Sequence, residues 1–215
     1  MIIPFSRLAA FICESHNPGQ PYIVGIDGMS ASGKSTFARH LKEAIDALGH
    51  HCFIIPMDDL VSPELYGNDA GSLYPGFDME RIKSDIVGRL REGKNISYHR
   101  YDRESKAMAE WREIPGNAVI LLEGVFTTGR LLGDSLDLRI WLDSPRETLL
   151  ERGEARSGTP RAKWESKWLP AEDAYIAREA PDGASDMIID GAWCGNGEFK
   201  AVLIRNSRLA ERMKA

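Results

Sequence analysis

Only three cysteines stand in the chain, at positions 13, 52 and 194, far apart and in no C-x-x-C pairing. That usage speaks against a disulfide framework and a thiolate metal cluster. It reads as free thiols in a reducing, cytoplasmic setting. Long apolar runs are missing too. Nothing approaches the ~18 apolar residues of a membrane span, and the opening Met-Ile-Ile-Pro-Phe-Ser-Arg lacks the basic start and apolar core of a secretion signal. Positive charge is in short supply: 27 Lys and Arg face 32 Asp and Glu. The net charge of −5 offers no basic surface to nucleic acid or to an anionic membrane, though local arginines can still focus a small anionic substrate. The five histidines show no ligand spacing, and His50-His51 reads as a solvent-facing pair. Repeats and low-complexity tracts are absent as well.

What remains is ordinary for a globular chain. With 43% hydrophobic and 27% charged residues over 215 positions, the composition suits a single α/β domain spanning 1–215. Apolar runs at 22–27, 52–56, 118–122, 138–142 and 186–189 read as strands, and Val119-Ile120-Leu121-Leu122 is apolar on both faces, as a central parallel strand should be. Helical spacing falls between them, which argues for a parallel sheet with crossover helices. Residues 2–12 carry Leu8, Phe11 and Ile12 and read as a short helix. Residues 79–92 carry Ile82, Ile86 and Leu90, with Gly93 as the stop. Another helix opens with Ser144 as N-cap and Pro145 at its first position, and ends near Gly158. A further one covers about 170–180. The stretch 59–78 is a long connection of the kind that often binds. Lys200 to Ile204 suits an edge strand, and 205–214 a last helix.

Residues 28–36, Gly-Met-Ser-Ala-Ser-Gly-Lys-Ser-Thr, match the phosphate-binding pattern G-x-x-x-x-G-K-[ST] in full. Gly28 and Gly33 let the backbone wrap an anion, with Ser30, Ala31 and Ser32 between them and Thr36 closing the motif. Lys34 can place an ammonium on β- and γ-phosphates, and Ser35 can offer a hydroxyl to Mg²⁺. The run Tyr22–Ile26 precedes the loop, and Phe37, Leu41, Ala44, Ile45 and Leu48 follow at helical spacing. A strand, a loop and a helix N-terminus form the arrangement that anion binding requires.

Phosphoryl transfer also needs carboxylates, cations and a cover. Asp58 and Asp59 follow the apolar run Phe53-Ile54-Ile55, at the carboxyl edge where α/β sheets bind ligands. Asp58 is the stronger candidate for the acceptor's base, with Asp59 beside it on the substrate side; a turn or helix cap is the plainer reading of either. Glu123 ends the strand Ile120-Leu121-Leu122 and suits a Mg²⁺ site. Arg152 and Arg156 project from one helix face and Arg161 follows, so the segment at about 152–170 reads either as a lid whose arginines close over phosphates or as a solvated face paired with Glu151 and Glu154. Trp164 and Trp168, four apart, favour helix packing over a role in the site.

These pieces, taken in order over about residues 20–191, resemble the uridine kinase and phosphoribulokinase-like family of P-loop kinases. They are the phosphate loop, Met57-Asp58-Asp59, Tyr74-Pro75-Gly76-Phe77-Asp78, Tyr101-Asp102, Leu122-Glu123-Gly124-Val125-Phe126, the arginine helix at 152–156 and Ala184-Ser185-Asp186-Met187-Ile188-Ile189. The resemblance implies a P-loop three-layer αβα sandwich with a five-stranded parallel sheet and a helical lid. It implies ATP and Mg²⁺ as donor and cofactor. It matches Asp58 to the catalytic base, Ser35 and Glu123 to Mg²⁺ residues, Asp78 to a carboxylate gripping substrate hydroxyls, and Arg156 and Arg161 to lid arginines. Tyr101 matches the start of the hairpin that reads the base. The departures fall on the acceptor side. Uridine kinases commonly have Asp-Ser-Phe-Tyr where this chain has Asp58-Asp59-Leu60-Val61, and Tyr101-Asp102 is followed by Arg103-Glu104-Ser105-Lys106 without the family's His-x-Arg.

Three functions compete at this stage. One is an ATP-dependent kinase of a small hydroxyl compound, a nucleoside first and a riboside, pantothenate or sugar phosphate second. Another is a nucleotide-dependent switch or ATPase, although neither Asn-Lys-x-Asp nor Leu-Ser-Gly-Gly is found. The last is a non-catalytic nucleotide-binding module, against which Lys34, Ser35 and Glu123 together speak. The oligomeric state stays open, a homo-oligomer included.

Overall fold

A computed structural model describes residues 1–67, 71–195 and 197–214, with side chains described except at 193–195. The elements follow in chain order. They begin with β1 (Ile2–Pro4), α1 (Phe5–Ser15), β2 (Tyr22–Asp27), α2 (Lys34–Ala47), β3 (Cys52–Pro56) and a 3₁₀ turn, Met57–Leu60. Next come α3 (Met79–Arg81), a π-helical stretch Ile82–Gly88 and α4 (Arg89–Arg91), joined head to tail with helical dihedrals at their junctions. The hairpin β4 (Ile96–Asp102) and β5 (Ala107–Ile114) is followed by β6 (Val119–Glu123), α5 (Arg130–Gly133), β7 (Leu138–Asp143) and α6 (Arg146–Ser157). Then α7 (Arg161–Lys163), a π turn Trp164–Trp168 and α8 (Leu169–Glu179) run on in series. The chain closes with α9 (Pro181–Ala184), β8 (Met187–Gly195), β9 (Glu198–Ile204) and α10 (Ser207–Lys214).

Among the described residues the main sheet has the strand order β1-β9-β8-β7-β2-β6-β3. The pairs β3–β6, β6–β2, β2–β7 and β7–β8 are all parallel, so the expected five-stranded parallel sheet stands at its centre. Two antiparallel strands extend it: β9 on β8, then β1 on β9. The strand expected near 200–204 is therefore interior, and β1 forms that edge.

Side-chain alternation sorts the two faces. Val24, Ile26, Val119, Leu121, Leu138 and Ile140 pack on Phe37, Leu41 and Ile45 of α2 and on α1. Ile23, Ile120, Leu122 and Trp141 point the other way, onto Ile82, Ile86 and Tyr175. Every residue of β2 and β6 is buried, which is why both read as near-continuous apolar runs. The result is a three-layer αβα sandwich.

Several expectations shift in detail. The helix expected over 2–12 starts only at Phe5: Pro4 biases Ile3 toward extended backbone, and Ile2–Pro4 pairs with β9 instead. Pro145 is not the first helical residue. It takes an extended ψ of 138° in the cap position, and the Ser144 hydroxyl turns to the carbonyl of Ser32 (3.4 Å) rather than capping the helix. Gly158 does end α6, in left-handed conformation (φ 63°). The helix expected at 170–180 has its predecessor turns from Arg161 onward. The β4–β5 hairpin escaped the apolar-run reading because β5 is mostly exposed; only Ile96, Tyr98, Tyr101 and Ile114 anchor the pair to the core. Part of the connection 59–78, residues 68–70, lies outside the described residues. Cys13 and Cys52 are free thiols, and burial pushes the Cys52 thiol up to about 12; the expectation for Cys194 falls outside the described side chains. No described helix is long and apolar enough to cross a membrane.

The added strands are tied to the core through one aromatic cluster: Phe199 of β9 packs against Phe37 (5.4 Å between ring centroids) and Phe5 (5.1 Å), all three buried. Phe199→Ala is expected to lower unfolding free energy by about 3–5 kcal/mol, the usual cost of emptying a buried aromatic site. Urea denaturation reads the difference, and a loss below about 1 kcal/mol would mean that the C-terminal strands fold apart from the domain.

Candidate active site

The parallel register brings five strand ends to one edge. Glu123 of β6 pairs with Ile26 of β2 and Pro56 of β3, and Asp143 of β7 with Asp190 of β8. The loop that leaves β2 there begins at Gly28, whose φ is 146° and where a Cβ would lie 2.5 Å from the carbonyl oxygen of Leu142. Only glycine allows that path. The loop ends at Gly33 in left-handed conformation, and α2 starts at Lys34. Phe37 N–H bonds the Gly33 carbonyl (2.9 Å), closing the first turn and leaving the N–H groups before it without helical partners, as anion sites require.

The Lys34 ammonium is buried and donates to the carbonyls of Gly28 and Met29, both at 2.8 Å. The Ser35 hydroxyl donates to Glu123 Oε1 at 3.0 Å. Glu123 is 7% exposed, and burial raises its pKa while Lys34 and Ser35 pull it down; Asp58 and Asp59 add negative charge from nearby. A hydroxyl and a carboxylate side by side next to an anion loop suit Mg²⁺, which takes few protein ligands and keeps waters and phosphate oxygens. The residues present therefore fit both ATP and its metal.

Asp58 and Asp59 lie in the 3₁₀ turn after β3, and Gly124 lets that turn approach β6: its φ is 151°, and a Cβ there would stand 2.5 Å from the Met57 side chain. Asp58 is exposed and bound by Arg103 of the hairpin at 2.7 Å. The Arg103 guanidinium also lies 5.9 Å over the Tyr66 ring. Asp59 accepts from Tyr98 (3.3 Å), and partial burial raises its pKa. Tyr101 is buried under the hairpin, its ring 6.1 Å from that of Tyr66. Asp78 caps the helix that starts at Met79, accepting from Arg81 N–H at 3.0 Å.

The three arginines of the proposed lid are not gathered. Arg152 reaches the Gly191 carbonyl (2.9 Å) and passes close to Gly33, so it alone lies against the loop. Arg156 is exposed and unpaired among the described residues. Arg161 is folded back on Glu147 by two hydrogen bonds of 2.6 and 2.5 Å. Trp164 and Trp168 pack together (5.0 Å) with Leu150 and Leu169, and Met29 of the loop joins them.

Four residues at the loop were not singled out in the sequence. Asp27, fully buried, accepts from Gly28 N–H (2.7 Å), from Thr128 N–H (2.8 Å) and hydroxyl (3.0 Å), and from the Tyr175 hydroxyl (2.6 Å). Glu172, 5% exposed, takes both the N–H (2.8 Å) and the hydroxyl of Ser30. Burial raises the pKa of both carboxyls, and hydrogen bonds oppose it. The one available signal was an Asp closing an otherwise apolar strand before a glycine loop; Glu172 and Tyr175 sit inside a helix with nothing to mark them.

This sheet, with a lysine-bearing glycine loop at the end of its central strand, defines the chain as a P-loop kinase in fold. No family model matches it. Over 173 residues, 73% of this chain, it is 27% identical to uridine-cytidine kinase-like 1 of Mus musculus and, at the same identity and coverage, to uridine-cytidine kinase B of Dictyostelium discoideum. It is 27% identical over 153 residues to uridine kinase of Saccharomyces cerevisiae. The matched stretch spans 31% of the mouse protein, 30% of the yeast protein and 70% of the Dictyostelium protein. Its fold is that of a possible uridine kinase from Bacillus stearothermophilus (TM-score 0.67, 22% identity, 84% of this chain and 96% of that one). It is also that of D-glycerate 3-kinase from Cryptococcus neoformans (TM-score 0.58, 12% identity, 90% and 96%). Together the matches make the chain similar in sequence to uridine and uridine-cytidine kinases and give it the fold of P-loop kinases.

Asp27 gives a pH prediction with a definite sign. Its folded pKa lies above the unfolded value of about 3.9, so its contribution to stability is full below about pH 4 and declines as pH rises through the folded value. The stability of the natural chain relative to Asp27→Asn should therefore be greatest near pH 4 and decrease toward pH 7, read from urea midpoints. A difference that does not change with pH would show that the carboxyl titrates alike in both states.

Proposed function

We propose that this chain is an ATP-dependent phosphotransferase that moves the γ-phosphoryl group of ATP to a hydroxyl of a small molecule, a nucleoside in the first place. The observation that carries the reading is the gathering of Lys34, Ser35, Glu123 and Asp58 at one sheet edge. Mg²⁺, when bound, would supply positive charge to offset that of the phosphates there. The chain's own residues do the rest. Ser35 and Glu123 would hold the metal, and Lys34, released from the carbonyls of Gly28 and Met29, would pair with the phosphates. The loop from Gly28 to Gly33 and the first turn through Thr36 would cradle them, with Ala31 and Ser32 at its tip. Asp58 would orient the acceptor hydroxyl and take its proton. Asp59, Asp78 and Tyr101 would line the acceptor side. Arg152 would stay near the nucleotide, and Arg156 and Arg161 would swing in as the lid closes and excludes water.

One observation favours a second class of acceptor. Arg103 stands on Asp58 where uridine kinases continue differently, and an exposed guanidinium beside the base suits an acceptor that carries its own phosphate or carboxylate. Pantothenate or a sugar phosphate has that chemistry. A regulatory ATPase is the remaining alternative.

A screen with purified protein, ATP and Mg²⁺ over nucleosides, ribosides, pantothenate and sugar phosphates separates these readings. Product with nucleosides alone supports the first, product with anionic acceptors alone the second, and ADP release that no acceptor stimulates leaves a water-directed ATPase. Asp58→Asn is expected to keep ATP binding and to cut turnover by about 10²-fold or more. Normal turnover in that variant would remove Asp58 from the role.

A further inference from the structure

Asp27, Gly28, Met29 and Ser30 are consecutive, and the segment 150–175 touches all but Gly28 directly and reaches Gly28 through Asp27. The Tyr175 hydroxyl bonds Asp27, which in turn bonds the Gly28 N–H. Met29 packs on the cluster of Leu150, Trp164 and Leu169. Glu172 occupies both donors of Ser30. Glu172 and Tyr175 are three apart on α8, hence on one helix face, and both are buried. The Gly28 and Ser30 N–H groups are therefore committed to carboxylates of the protein. This half of the loop would shape the cradle, and the N–H groups from Gly33 onward would meet the anion.

The arrangement has a cost. Glu172 and Asp27 are two carboxyls beside a site meant for a polyanion, and Coulomb repulsion by itself would weaken nucleotide binding. Burial beside that site raises the pKa of both. A side chain kept there despite repulsion must contribute by geometry. Glu172 and Tyr175 hold Gly28 to Ser30 in place, so that the N–H groups from Gly33 onward and the Lys34 ammonium converge on the phosphates without further ordering.

We propose that Glu172 and Tyr175 are positioning residues for the nucleotide, acting through Ser30 and Asp27 on the shape of the phosphate loop. This rests on the reading of the loop as an ATP site. Their hydrogen bonds go to Ser30 and Asp27 and not to Asp58, Asp59, Asp78 or Tyr101, so loss of those bonds should appear in nucleotide affinity rather than in acceptor affinity.

The test is calorimetric titration of the full chain with Mg²⁺ and AMP-PNP, alongside thermal unfolding of each variant. Glu172→Ala and Tyr175→Phe are each expected to weaken binding about 10-fold, the loss that follows one buried charge-assisted hydrogen bond. Glu172→Gln, which keeps an acceptor for the Ser30 N–H, should recover to within about 3-fold of the natural chain. A merely structural role would lower the unfolding temperature and leave affinity, measured well below it, unchanged. Binding by Glu172→Ala and Tyr175→Phe within about 2-fold of the natural chain would overturn the proposal, as would tighter binding by Glu172→Gln, the sign of simple repulsion. If the natural chain itself gives no heat, the nucleotide reading fails and the positioning role with it. If it binds and the variants bind equally well, the positioning role alone fails.

Discussion

The site depends on how closely the chain at Gly28 passes the Leu142 carbonyl. That approach leaves no space for a side chain and needs a backbone angle that L-residues avoid. It makes β2 turn sharply at its carboxyl end, and α2 can then begin six residues later with its unpaired N–H groups at the sheet edge. The parallel pairing of β6 and β3 beside β2 carries Glu123 and the Asp58 turn to the same edge. Gly124 removes the one Cβ that would keep them apart. Two glycines thus set how closely the proposed site residues approach one another.

Charge is organised around a single buried ammonium. Lys34 lowers the pKa of Asp27, Glu123 and Glu172, each of which burial pushes up. Three carboxyls around one cation look wrong for a triphosphate site until their partners are counted. Asp27 and Glu172 are satisfied by loop and helix donors and shape the backbone. Glu123 accepts from the Ser35 hydroxyl, the pair proposed to hold the metal. The two acids bonded to loop donors shape its backbone, and Glu123 on the other side suits a divalent cation that brings charge of its own.

The proposed acceptor side is built to a different standard. Asp58 and Arg103 are exposed, and the hairpin that carries Arg103 forms its own two-stranded sheet. Four side chains, Ile96, Tyr98, Tyr101 and Ile114, anchor it to the core. A well-packed phosphate-loop half beside a lightly anchored hairpin is the arrangement expected where specificity is set by loops carried on a common scaffold.

Much of this was legible before any coordinates. The five parallel strands, the phosphate loop and the positions of Asp58 and Glu123 at strand ends follow from apolar runs and one motif, because buried parallel strands and tight glycine turns leave local marks in residue type. The hairpin β4–β5 left no such mark, since its exposed strand needs no apolar pattern, and β1 was hidden inside a helical periodicity that Pro4 interrupts. The partners of the loop were beyond reach for another reason. Glu172 lies 142 positions from Ser30 and Tyr175 148 from Asp27, and only the packing of α8 against the sheet brings them together. Sequence alone determined where the backbone turns and which residue types line the edge, because those are local properties of the chain. Tertiary structure decided which carboxylate meets which amide, and where each arginine rests, because those contacts exist only once distant helices have buried their faces against the same sheet.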